Sequence, residues 1–237
     1  MTEEISDKTV VTLGPIRKVI AERMTLSKTT IPHAYVMMDI DMTAALWFRA
    51  EFNAGGHGNA DGVKISVNDL VLKATAMALA KIPAVNSTFE DGAVIIHHNV
   101  NVGVVVAIDN DEGILVPVFK NADQTALIEL GKNVREKADL ARRKKIRARD
   151  SMDGTFTISN VGMFGANYLI AVVQPPQTGI LGIGAVKKVP SVVEDQVVIR
   201  SIMGVALSFD HRAIDGAVGA KFLAELNSIL QEPLKLL

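Results

Sequence analysis

Ser208-Phe209-Asp210-His211-Arg212-Ala213-Ile214-Asp215-Gly216-Ala217 stands where an apolar, strand-like run gives way to a helix-like one. The helical run places Val218, Phe222, Leu226 and Ile229 on one side. Histidine is the side chain that can take or give a proton near neutral pH without any shift of its pKa. A residue at the end of a strand is well placed to reach a cleft. Asp215, four residues further on, occupies the position of a helix N-cap and could serve as a cap alone. The spacing therefore leaves two roles open, a general base with a partner carboxylate or a capped helix.

Working upstream, residues 191–200 and 201–209 read as a hairpin that leads into this stretch, and 179–186 as a separate glycine-punctuated apolar strand. Thr155-Phe156-Thr157-Ile158 is another strand, closed by Ser159-Asn160, a turn with Gly162 and Gly165, and Pro175-Pro176. Ser159 thus supplies a hydroxyl donor at a strand end of the same β-rich region. Residues 124–149 form the longest helical pattern, with a stripe of Leu127, Leu130, Val134, Ala138 and Ala141 and a strongly basic end. A basic last turn complements the helix dipole, and such charge is usually a solvated face; a contact to the phosphates of a nucleotide-bearing substrate is the alternative. Residues 93–119 read as a long hairpin around an acidic, glycine-containing turn at 109–113. That turn lacks the twelve-residue ligand spacing of a calcium loop. His97 and His98 are neighbours on what reads as a strand, so they face opposite ways and do not suit a shared metal.

Ser66-Val67-Asn68-Asp69 is a capping box with Asp in the Glu position, opening a helix over 67–81 that is apolar almost all round and belongs in the middle of the fold. The glycines of residues 55–62 are not in phosphate-cradling order, and His57 among them reads as bystander surface. Thr43 is expected to cap a helix running to Gly55, residues 34–41 are strand-like, and Gly14-Pro15 opens a helix with Ile16, Val19, Ile20 and Met24 on one face. His33, after Ile31-Pro32, is expected to make a structural hydrogen bond.

The 237 residues, 49% hydrophobic and 22% charged, fit a globular protein with a substantial core that also buries surface against copies of itself. Lys and Arg (25) nearly balance Asp and Glu (26), so no global field argues for nucleic acid or an acidic membrane. The longest apolar runs, such as 102–108, are too short to span a bilayer. The polar, acidic first eight residues lack the form of a secretory signal. Cysteine is absent, which removes disulfides, thiolate metal sites and a protein thiol nucleophile. No Gly-x-Ser-x-Gly elbow supplies an activated serine. What is left is a histidine acting on a nucleophile that belongs to the substrate.

Several stretches together resemble the catalytic domain of the dihydrolipoamide acyltransferases, the core subunits of 2-oxo-acid dehydrogenase complexes, in the chloramphenicol acetyltransferase-like superfamily. They are residues 16–24, Ile31-Pro32-His33, residues 66–69 with Val85-Asn86, residues 113–118 and 154–165, Pro175-Pro176-Gln177 and residues 210–216. The bare His-x-x-x-Asp-Gly is only moderately specific; with Phe-Thr-Ile-Ser-Asn and Pro-Pro-Gln it is strong. The resemblance implies an α+β fold, a two-layer sandwich of a mixed β-sheet packed by helices, assembling as a trimer and in some cases as a cage of trimers. Residues 14–237 are then the acyltransferase domain, and 1–13 a poorly ordered extension. No lipoyl or peripheral subunit-binding domain is expected in the chain, which is either a catalytic core alone or a lipoyl-free relative.

By the same resemblance His211 is the general base that takes the thiol proton, and Ser159 donates to the oxyanion of the tetrahedral intermediate. Asp215 is the motif aspartate held in an ion pair, with Arg17 the candidate partner. His211 and Ser159 come from neighbouring subunits. Coenzyme A and the dihydrolipoyl arm of a lipoyl domain are substrates; no permanently bound cofactor and no metal are expected. The implied activity is transfer of an acyl group, acetyl being the most similar type, in the cytoplasm or, with a transit peptide removed, the mitochondrial matrix or plastid. A related acetyl-CoA-dependent O- or N-acetyltransferase and a catalytically lapsed core subunit are the alternatives. A free thiol with pKa about 8.5 is only a few per cent thiolate at neutral pH, a handicap that a positioned imidazole removes.

Overall fold

The two longest strand patterns form the centre of the main sheet. The computed structural model describes residues 2–5, 7–59, 62–108 and 113–237, and in it β11 (Gly179–Val193) and β12 (Gln196–Asp210) make one long antiparallel hairpin. Glu194 and Asp195, at φ of 48° and 61°, turn the chain between them. The runs at 179–186 and 191–200, expected as separate elements, are not separated in this way: 179–193 is a single strand, with a shift of register between Ile183 and Val186. Pro190 does not break it because β10 (Phe156–Asn160) pairs with β11 only as far as Ile183, leaving the distal half of β11 as an edge.

Around this hairpin the six-stranded sheet has the order β3-β12-β11-β10-β6-β9, where β3 is His33–Asp41, β6 Val102–Val104, β9 Val118–Phe119 and β10 Phe156–Asn160. β10 runs parallel to both β11 and β6, and the other pairs are antiparallel. The sheet is therefore mixed, as expected. The long hairpin anticipated at 93–119 is divided: β6 pairs with β9, and beyond them β7 (Val106–Ala107) pairs with β8 (Ile114–Leu115). β5 (Ala93–Ile96) turns back instead onto β4 (Ser87–Glu90). The acidic turn at 109–112 lies outside the described residues.

Helices cover one face. α3 (Val67–Lys81) is buried along nearly its whole length, with Leu70, Val71, Ala74, Ala78 and Leu79 at 0% exposure, and its capping box is formed in both directions. α5 (Gly216–Gln231) packs on α3 and β3, burying Phe222, Leu226 and Ile229 in the core with the Phe222 ring 5.7 Å from that of Phe156 in the sheet. α2 (Thr43–Asn53) and α4 (Leu127–Arg142) complete the layer. Thr43 does not cap α2. The Asp41 carboxylate accepts from the Thr43 backbone N–H at 2.8 Å, while the Thr43 hydroxyl accepts from Ser201 N–H at 3.1 Å. α4 ends at Arg142, seven residues short of the basic run's end, with Lys144 at φ 56° beyond it. The basic segment is thus mostly outside the helix. Near the N-terminus β1 (Thr2–Ile5) pairs antiparallel with β2 (Lys8–Val11). α1 (Pro15–Thr30) starts with Pro at its first turn as read, yet Ser27 is its only buried residue.

On the other face, the chain at 166–169 crosses the sheet in direct contact with its backbone. A Cβ on Gly182 would lie 1.8 Å from the Leu169 carbonyl oxygen, one on Gly184 1.9 Å from the Asn167 oxygen, and one on Gly204 2.4 Å from the same oxygen. No side chain fits there without displacing the crossing segment, which is why glycine recurs in an otherwise β-branched strand. Gly182→Ala is expected to cost about 3 kcal/mol. That corresponds to a fall of roughly 6–12 °C in the thermal midpoint. An unchanged midpoint in calorimetry would mean that the crossing segment yields freely.

Candidate active site

β12 hands the chain directly to α5, and His211 sits at that junction. Asp210, the last residue of the strand, is 1% exposed and its N–H donates to Thr178 O at 2.9 Å. The His211 N–H donates to Pro32 O at 3.0 Å, and Ala213 and Ile214 N–H both donate to Asp210 O at 3.0 Å. The backbone carrying the imidazole is thus tied on both sides while the ring itself is half exposed (52%). Its Nδ1 lies 4.0 Å from Asp215 Oδ1, within ion-pair range and beyond hydrogen-bond range. Asp215 holds the N-cap position of α5 with extended backbone, and its carbonyl accepts from Gly219 N–H. Its side chain makes no capping hydrogen bond. Of the two roles that spacing leaves open, the geometry favours the carboxylate beside the histidine.

Ser159 is half buried in β10, opposite Gly182 of β11. Phe156 and Ile158 point into the helical core, so by strand alternation Ser159 faces the other side. Gly182 in turn pairs with Ala206, five residue steps before His211 along β12. His211 therefore lies five residues beyond the level of Ser159 and two strands away from it. At about 3.3 Å per step and about 4.8 Å per strand, their backbones are separated by roughly 20 Å. One chain does not bring the two residues together.

Arg17 is exposed near the start of α1. The ion pair that Asp215 makes among the described residues is to His211, not to Arg17. Helix geometry gives the reason. α1 is tied to the His211 region at its C-terminal end, through Pro32, and Arg17 lies thirteen residues up the helix, about 20 Å away. At that far end Ile16 and Ile20 pack on Gly113, beyond the C-terminal ends of β6 and β10. Arg17 is consequently at the Ser159 end of the molecule.

Three of the other four histidines, His33, His57 and His97, make structural contacts. His33 Nδ1 donates to Ile31 O at 2.9 Å and Nε2 accepts from Val173 N–H at 3.2 Å, which fixes the neutral tautomer. Burial pushes its pKa below the usual imidazole value, in the same direction. His97 shares a 3.0 Å hydrogen bond with the Thr88 hydroxyl. His57 is no bystander, because its half-buried ring packs 5.0 Å from Phe48. Among the described residues no group of three or more His, Cys, Asp or Glu is placed to hold a metal. No helix there is long and apolar enough to cross a membrane.

Sequence reading missed what surrounds His211. Arg212 curls back to Asp210, its Nε 2.9 and 3.1 Å from the two carboxylate oxygens and its Nη2 2.6 Å from Oδ2. The guanidinium stands 3.9 Å over the Phe89 ring. The signal was an acidic residue closing an apolar strand with an arginine two positions on; the aromatic partner, far away in sequence, gave none.

The catalytic-domain profile of the 2-oxoacid dehydrogenases acyltransferases matches residues 5–237. The chain belongs to this family. The dihydrolipoyllysine-residue acetyltransferase component of the pyruvate dehydrogenase complex from Rickettsia felis is 40% identical over 92% of this chain and 52% of its own length. The chain spans about half the length of such relatives. Two solved structures superpose with a TM-score of 0.90 at 31% identity, covering 98% of this chain and 94% of theirs. One is the cubic core of the pyruvate dehydrogenase multienzyme complex. The other concerns the role of a serine, a histidine and an asparagine in the catalytic mechanism of Azotobacter vinelandii dihydrolipoamide acetyltransferase. A chloramphenicol acetyltransferase superposes with a TM-score of 0.58 at 15% identity, which shows a common fold. Like the solved members of this family, the chain has the expected α+β architecture.

Proposed function

We propose that the chain transfers an acetyl group between coenzyme A and the dihydrolipoyl arm of a lipoyl domain, at a site completed between copies in a trimer. The observation that carries this reading is an interval. The serine and histidine studied in the Azotobacter enzyme are as far apart in sequence as Ser159 and His211, and its asparagine follows the histidine by four residues as Asp215 follows His211. His211 takes the proton of the attacking thiol, and the thiolate adds to the thioester carbonyl. The Ser159 hydroxyl donates to the resulting oxyanion. Collapse expels the other sulfur, which recovers the proton from the imidazolium. Atoms and charge balance with no redox step, and the sequence needs no cysteine because both thiols belong to the substrates.

The separation of roughly 20 Å within one chain supports a shared site, with Ser159 from one copy and His211 from the next. Arg17 fits the same arrangement: lying at the Ser159 end, it is the partner proposed for Asp215 of the neighbouring copy. Asp215 replaces the asparagine of the Azotobacter enzyme, and a carboxylate there suits a cationic partner. The departure does not remove the base. Higher assembly on the pattern of the cubic core is part of the reading.

The test combines two measurements on the purified chain. Dihydrolipoamide and acetyl-CoA should give the thioester of dihydrolipoamide and free coenzyme A, and sedimentation should give a trimer or a multiple of it. Acetylation of alcohols or amines in place of the dithiol would exclude the proposed acceptor. A monomer that turns over normally would exclude the shared site.

A further inference from the structure

We infer that Arg212 is a positioning residue for His211, acting through the buried Asp210 carboxylate and the Phe89 ring; the inference rests on the acyltransferase reading of this site. Asp210, at 1% exposure, accepts four hydrogen bonds on its two oxygens, all from Arg212: the backbone N–H at 3.0 Å and three contacts from the guanidinium. His211 is the residue between them. The clamp therefore closes a three-residue loop whose middle side chain can only project outward. The flat face of the guanidinium covers Phe89, and the Phe89 N–H donates to Pro176 O at 2.8 Å. Through that contact the loop is fixed to β4 and to the segment leading into β11. Without the clamp the His211 backbone would keep its bond to Pro32 O, and the turn that aims the ring would lose its buried ion pair.

Geometry also says which substitutions discriminate. A planar fork makes two parallel bonds to a carboxylate and stacks on an aromatic ring; an ammonium does neither well. Arg212→Lys keeps the charge beside the buried carboxylate, so the fold is retained while the orientation is loosened. Removing the charge outright leaves a buried carboxylate unpaired, which is strongly destabilising. Phe89→Leu removes the stacking surface and leaves the ion pair.

The experiment measures dihydrolipoamide acetylation by Arg212→Lys, Phe89→Leu, His211→Ala and the Arg212→Lys/His211→Ala double variant, all as assembled protein. Misplacement of a reacting group by about 1 Å can cost on the order of 100-fold, so Arg212→Lys is expected to lower kcat 10- to 100-fold with little change in KM. Phe89→Leu should have a smaller effect of the same kind. In the double variant the Arg212 change should have no further effect, because it acts through an imidazole that is gone. Multiplication of the two losses, or a pure rise in KM, overturns the inference. If the wild-type protein transfers no acetyl group, it is the functional reading that fails. The positioning claim is then decided by the crystal structure of Arg212→Lys, where an unmoved, singly placed His211 ring overturns it and a displaced or multiply placed ring supports it.

Discussion

His211→Ala is expected to lower kcat for dihydrolipoamide acetylation by ~100- to 10,000-fold, the range over which a positioned general base acts. The size follows from the nucleophile. A thiol with pKa about 8.5 is mostly protonated at pH 7, so without a base the reaction must wait for the small thiolate fraction. His33 has both ring nitrogens bonded and His97 is tied to Thr88, so neither is free to substitute. Asp215 lies 4.0 Å from His211 Nδ1, in ion-pair range of the ring that would take the proton. KM should change little, because the proton is moved in the transition state and not on binding. The pH profile gives the sign. In the variant the rate should rise about tenfold per pH unit toward the thiol pKa, as solvent takes over deprotonation, and the defect should narrow at alkaline pH. A loss of less than about tenfold at pH 7 would rule out the general-base role.

The parts of this site that were legible in the sequence are those set by local pattern. The capping box at Ser66 and Asp69, the all-round apolar α3 and the strand-to-helix junction at His211 depend on residues within a few positions of each other, and each forms as read. What failed depends on distant partners. The runs 179–186 and 191–200 are joined in one strand because β10 ends its pairing at Ile183, so Pro190 sits harmlessly on an edge. The basic run after α4 continues a helical composition, yet the chain leaves the helix at Arg142, and Lys144 has the positive φ of a turn. His57 lies in a loop of glycines that gives no hint of Phe48 beneath it. The glycines of β11 were visible as punctuation, and their cause, a backbone crossing 1.8 to 2.4 Å from where a Cβ would be, was not.

Ser159→Ala is expected to lower kcat roughly 100- to 1,000-fold, the usual consequence of losing one oxyanion donor. Within the described residues of its own chain the Ser159 hydroxyl has no hydrogen-bond partner, so the change removes no structural bond, and thermal stability should hardly move. The same variant decides where the site is. Ser159 and His211 lie roughly 20 Å apart in one chain, so the proposed pair combines the serine of one copy with the histidine of another. Mixing Ser159→Ala and His211→Ala chains in equal amounts, with dissociation and reassembly, regenerates an intact pair wherever a His211→Ala chain offers its serine to the histidine of a Ser159→Ala chain. In a closed ring with heterologous contacts and random mixing this occurs at roughly one interface in four, so the mixture should recover about a quarter of wild-type activity from two nearly inactive parents. A site contained in one chain predicts no recovery at all, since every chain in the mixture then carries a broken site. Recovery also requires exchange between assemblies, which makes its rate a measure of how the trimer opens; mixing without dissociation should give the parental activities and serves as the control.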